Sequence, residues 1–210
     1  MTSHWEDGRS RPGELLRLVM AGLNTSGLDV QPPGDDKGCQ LAIACPGARC
    51  ALAVSDNGDA EWEYRPTHPA DPDLAADLTT VLLTGQTGPQ LLPGGRPGRH
   101  GTFTGIVGRQ LRGRGLDVKL AVFPDDDFLD AHSEIVATSP TTSPAARVIV
   151  TDDGSLTWIR EHHPWAPARH EPGTCPGAEH AAAVAVAAAV VERITQTMSL
   201  LRQNAQAQPT

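Results

Sequence analysis

Apolar residues recur at helical spacing in two stretches, Leu15, Leu16, Val19 and Leu23 and then Phe103, Ile106, Val107 and Leu111. Positions three or four apart fall on one stripe of a helix, and a stripe of this kind seeks burial. Both stripes run into the same four letters, GLDV, at Gly27–Val30 and Gly115–Val118. A glycine just past the last periodic position is the expected helix stop, so each helix is predicted to end there.

Beyond each GLDV the period shortens to two. CQLAIAC and CALAV follow in the first half, VKLAVF, SEIVAT and ARVIV in the second, all bounded by Pro, Gly and Asp. These read as strands. One phrase then appears twice, SDNGDAEW at residues 55–62 and TDDGSLTW at 151–158. Read as three-residue hairpin loops, DNG and DDG set Val54 opposite Ala60 and Leu52 opposite Trp62. In the second half they set Val150 opposite Leu156 and Val148 opposite Trp158. A two-residue loop would instead place Leu52 and Val54 against Glu63 and Glu61, burying charge or exposing leucine, so the three-residue loop is predicted.

Each half should close with a helix. DPDLAADLTTVLL offers Asp71 as N-cap and Pro72 at the first helical position, and its counterpart starts at Cys175-Pro176 and is much longer and rich in alanine. A small-residue face of that kind lets a helix lie close to a sheet or to another helix. The expected fold is α+β, a tandem duplication of a helix, four-stranded antiparallel sheet, helix unit with pseudo-twofold symmetry. The expected boundaries are a disordered N-terminus at 1–12, a first αβ4α repeat at 13–85 and a Gly/Pro-rich linker at 86–101. A second repeat follows at 102–203, with an inserted loop at 160–180, and then a disordered tail at 204–210.

The helix ending near GLDV, the strands after it and the DDG-x-L-x-W hairpin resemble a group of duplicated, two-domain actinobacterial-type proteins of unassigned function. The resemblance spans about residues 13 to 200. It implies a fold and transfers no active site.

Charge and composition narrow the functions. A net charge of −8 opposes nucleic acid, and Arg96, Arg99, Arg109, Arg112 and Arg114 read as a solvated linker and helix face. The apolar run Ala181 to Val191 is too short to span a bilayer, and the N-terminus lacks the apolar core of a signal peptide. The expected location is cytoplasmic, where four cysteines do not read as a disulfide framework. Cys39, Cys45 and Cys50 read as buried small hydrophobes, with a cross-hairpin Cys45 to Cys50 bond thinkable but disfavoured by compartment. The acidic stretch Asp125 to Glu134 lacks EF-hand spacing and reads as an exposed inter-strand loop. Gly101 to Gly108 reads as a linker entering a helix.

The halves differ most where the 160–180 loop replaces a shorter segment. It brings His162, His163, Trp165, His170, Cys175 and His180 into one stretch. Cysteine at a helix start is a poor cap with a lowered thiol pKa, a local rule broken where a site would break it. Cys175 with His163 as base would make a nucleophilic pair, with His162, Trp165, His170 and His180 as ligand-binding side chains. No spacing specifies a metal, and no cofactor is implied. With scaffold motifs repeated and no complete catalytic constellation, the leading expectation is a binding or adaptor protein. It would recognise a small molecule or protein segment in a groove between sheets and helices, as a monomer or homodimer. The alternative is a small cofactor-independent cyclase or hydrolase of specialised metabolism using the Cys/His loop. A third reading is oligomerisation through the last helix.

Overall fold

The computed structural model describes residues 11–32, 40–45, 47–54, 59–86, 102–123, 132–141, 146–161 and 176–207. Among them the chain forms α1 (Arg11–Thr25), β1 (Val30–Gln31), β2 (Gln40–Cys45), β3 (Ala48–Val54), β4 (Ala60–Pro66) and α2 (Pro72–Thr84). It continues with α3 (Phe103–Gly113), β5 (Asp117–Phe123), β6 (His132–Thr138), β7 (Ala146–Thr151), β8 (Leu156–Arg160) and α4 (Pro176–Ala207). The fold is α+β, with one antiparallel sheet of eight strands in the order β1-β2-β3-β4-β8-β7-β6-β5.

The helix stops fall where glycine permits them. Gly27 and Gly115 have φ of 76° and 79°, and their N–H groups donate to the carbonyls of Asn24 and Arg112. Leu28 and Leu116 donate to Leu23 and Leu111, which completes the same six-to-one, five-to-two cap at both ends. Both leucines are buried, so GLDV ends a helix and anchors the chain as it enters a strand. At the start of α2, the Asp71 side chain accepts from the Asp73 N–H, with Pro72 following as the first helical residue.

The hairpin register also follows the alternation. Leu52 faces Trp62 and Val54 faces Ala60, while Val148 faces Trp158 and Val150 faces Leu156. In the second hairpin the Gly154 N–H donates to the Thr151 carbonyl and the Thr151 N–H to Ser155. Residues 152–154 are therefore the three-residue loop, with Gly154 left-handed at φ 81°. The equivalent DNG loop lies outside the described residues.

The four strands of each half do not make separate sheets. β4 pairs β8 through Ala60 and Arg160, Trp62 and Trp158, and Tyr64 and Leu156. The two tryptophans meet at the centre of the seam, both fully buried, and Trp62 stacks on Tyr64 with ring centroids 6.1 Å apart. Among the described residues neither indole N–H has a hydrogen-bond partner, a cost of about 1–3 kcal/mol apiece that their buried ring area offsets.

Helices cover one face of the sheet. The inward residues of β2, β3, β4, β6, β7 and β8 join Val19 and Leu23, Leu78 and Leu82, Val107 and Leu111, and Val190 and Ile194 in one core. The helices cross between the halves: α2 packs on β7 and β8, while α4 packs on β2 and alongside α1. Side chains tie these crossings. Arg114, the cap residue just past α3, bridges Asp77 of α2 at 2.6 Å and donates to Thr80. Gln110 donates to Asp73, and Arg193 of α4 donates to the Val81 carbonyl at the end of α2.

Several boundaries and environments differ from expectation. α1 starts at Arg11 and α4 continues through Ala207, since Met198 and Leu201 are buried and hold the last turns to the core. β6 takes in His132 to Glu134, so the acidic stretch is not loop throughout; its residues 125–131 lie outside the described set. The Arg114 side chain is only 7% exposed, so it is an internal tie and not part of a solvated basic face. Ala183–Ala207 is long and apolar enough to cross a membrane by length and composition. Its buried positions Val186, Val190, Ile194 and Leu201 recur at helical spacing against the sheet and α1.

Candidate functional site

The loop singled out from the sequence falls largely outside the described residues, among them His162, His163, Trp165, His170 and Cys175. α4 begins at Pro176, as the Cys175-Pro176 start predicts, and His180 lies on it with an exposed side chain. Among the described residues no group of three or more His, Cys, Asp or Glu could hold a metal ion.

The described residues do form a crevice between α1 and α4. These helices run side by side in the same direction, with Gly22 against Val191 and Arg202 reaching the Gly27 carbonyl. The small residue sets the spacing: a Cβ on Gly22 would lie 2.7 Å from the Val191 methyl Cγ2. On the outer side of this contact the helices leave a recess of about 480 Å³. Leu18, Val184, Ala187, Ala188 and Val191 supply its apolar walls, with Ser26, Glu192 and Gln196 also lining it. Val184 is 43% exposed there, an apolar side chain left in water. Concave apolar surface with a few polar groups is the usual form of a binding pocket. The alanine-rich run signalled close approach of this helix in the sequence. It did not reveal that α1 would be the neighbour, because that contact joins the two ends of the chain.

A second recess, of about 490 Å³, lies where β4, β8 and the β7–β8 turn meet, lined by Glu63, Arg65, Thr151, Asp152, Asp153 and Thr157. Its two aspartates are committed to the fold. Asp153 accepts from the Ser155 N–H and hydroxyl, both at 2.9 Å, and from the Thr151 hydroxyl. Asp152 accepts from the Thr104 hydroxyl at 2.8 Å and from the Ser133 N–H and hydroxyl. Burial raises both carboxyl pKa values, but these hydrogen bonds outweigh it and hold the two groups below the usual value. Neither carboxylate is placed as a general base. They close a turn and fasten it to α3 and β6.

Under the helix layer, Arg160 projects from β8 and is desolvated enough to lower its pKa. Arg193 is lowered by burial and by the nearby Arg160 charge, with Glu192 opposing. Arg193 is occupied by the α2 carbonyl end, where a cation suits the helix dipole. Compared with protein family models, curated proteins and solved structures, the chain gives no match.

Proposed function

We propose that this is a non-catalytic binding or adaptor protein that holds an apolar protein segment in the crevice between α1 and α4. The observation that carries this reading is the recess itself, about 480 Å³ with apolar walls and Val184 43% exposed beside it. Two parallel helices make a groove of the kind into which a short amphipathic helix lays its apolar face. The hydrogen-bonded Asp152 and Asp153 argue the same way from the other side of the molecule, since their roles there are structural.

The test is binding of the environment-sensitive dye 1-anilinonaphthalene-8-sulfonate to the full chain, followed by fluorescence. Ala188→Glu places a carboxylate in the groove from an exposed position and should weaken binding at least about tenfold, the scale of one uncompensated buried charge. Thermal stability should not change. Equal dye binding by the wild type and the variant would overturn the reading.

We further infer that the chain arose by duplication of one αβ4α unit, with the Trp62 to Trp158 pair on the axis between the halves. The shared helix caps, the matching hairpin registers and the sheet order support this. Under the axis, the pair Ala60 and Arg160 maps onto the pair Leu156 and Tyr64. The second helix of each unit then lies over the strands of the other.

A further inference from the structure

Away from the crevice, two cysteines share one corner of the core. Cys45 is the last residue of β2 and pairs with Ala48, and Cys50 on β3 pairs with Ile43. They are diagonal neighbours across the hairpin and share its inward face with Ile43 and Leu52. Neither is in a disulfide; Cys50 is buried and Cys45 partly exposed at the rim. Their side chains are hydrogen-bonded to one another, and the Arg202 charge on α4 acts on Cys45. Tyr64 stands across from Cys50 on β4.

We propose that Cys45 and Cys50 form an oxidisable pair, in which Cys45 attacks a hydroperoxide and Cys50 resolves the product to an intramolecular disulfide. The Cys45 thiolate attacks the distal peroxide oxygen, the O–O bond breaks, and with one proton taken up the products are a Cys45 sulfenic acid and an alcohol, or water. The Cys50 sulfur then attacks the Cys45 sulfur and water leaves, carrying the sulfenic oxygen and the Cys50 proton. Two thiols and one hydroperoxide thus give one disulfide, one alcohol and one water.

The environments divide the roles. The hydrogen bond with Cys50 and the Arg202 charge hold the Cys45 thiol below its usual value against the opposing effect of burial. The same hydrogen bond, burial and the Cys45 charge push Cys50 up. A rim thiol of lowered pKa beside a buried partner is the arrangement of an attacking and a resolving cysteine. Diagonal positions on paired strands sit about 7–8 Å apart, slightly beyond the usual disulfide span, so closure tightens the hairpin end at Gly47. A bond made under that load is readily reduced, which suits a reversible switch rather than a structural staple.

The test treats the reduced full-length protein with stoichiometric hydrogen peroxide, blocks remaining thiols, digests with trypsin and maps the products by mass. Arg49 lies between the two cysteines, so the expected disulfide joins the peptide ending at Arg49 to the one starting at Cys50, and fragmentation separates Cys45 from Cys39. In Cys50→Ser the reaction should stop at a sulfenic acid on Cys45, captured by dimedone. Before oxidation, iodoacetamide should label Cys45 at least about tenfold faster than Cys50. A wild-type protein in which Cys50 stays reduced, or pairs with Cys39 or Cys175, would overturn the proposal. That result needs no variant to fold.

Discussion

Gly154 shows how much a single residue can carry. It holds φ at 81° in the hairpin loop, and a Cβ added to it would lie 2.1 Å from the Cβ of Ala70 and 3.2 Å from the Phe103 ring. Left-handed strain and overpacking therefore combine, and Gly154→Ala should lose about 2–4 kcal/mol in chemical denaturation. Gly27, also left-handed, meets nothing within 4 Å, so Gly27→Ala should lose only about 1 kcal/mol. Equal losses would show that the Ala70 contact costs nothing. The neighbouring carboxylates predict a pH response. Asp152 and Asp153 have depressed folded-state pKa values, so their contribution is present above the unfolded value, near pH 4, and disappears as pH falls through the folded values. Denaturant midpoints should be level in the neutral range and fall below about pH 4. The Asp152→Asn, Asp153→Asn double variant should start lower and show a shallower acid decline; an unchanged slope would remove these groups as its source.

At the scale of elements, local rules were enough for much of the molecule. GLDV specified two helix ends through glycine and a following leucine, and Asp71 specified a helix start. Asp71→Ala should therefore cost about 1 kcal/mol and lower the melting temperature by a few degrees, with the sheet unaffected; no change in melting would mean the cap is redundant with Pro72. Alternation likewise set the two hairpin registers; in the first, a one-residue slip would have set Leu52 and Val54 against Glu63 and Glu61. What local pattern could not supply was neighbours distant in sequence. Trp62 read as a core residue, but its pairing with Trp158 depends on β4 finding β8, an edge-to-edge choice that no single strand encodes. Arg114 read as a surface charge because its acceptors, Asp77 and Thr80, belong to the other half. The α1–α4 crevice was hidden for the same reason, while the His/Cys loop drew notice by its composition, its departure from the first half and the cysteine at the helix start.

The whole molecule is held by those distant choices, and they decide whether either half can stand alone. In one arrangement each half would fold back on itself, with its second helix covering its own strands. The observed chain does the reverse: α2 lies on β7 and β8, α4 lies on β2 and against α1, and β4 and β8 share their inner edges. Cutting between the halves exposes both of those edges and uncovers Trp62 and Trp158, each of which is worth about 3–5 kcal/mol when removed from a core. That is a large part of the 5–15 kcal/mol by which a domain of ordinary size is stable. Residues 11–86 expressed alone, and residues 102–207 alone, should then fail to give a cooperative thermal transition as monomers. Mixed, they should recover one, with a one-to-one mass in size-exclusion chromatography coupled to light scattering. Since the halves offer equivalent surfaces, a homodimer of one fragment is the competing product, and it would carry the same exchanged helices around a true axis. Either assembly supports interlocked halves, whereas a single fragment that melts cooperatively as a monomer would show that the crossing helices are dispensable.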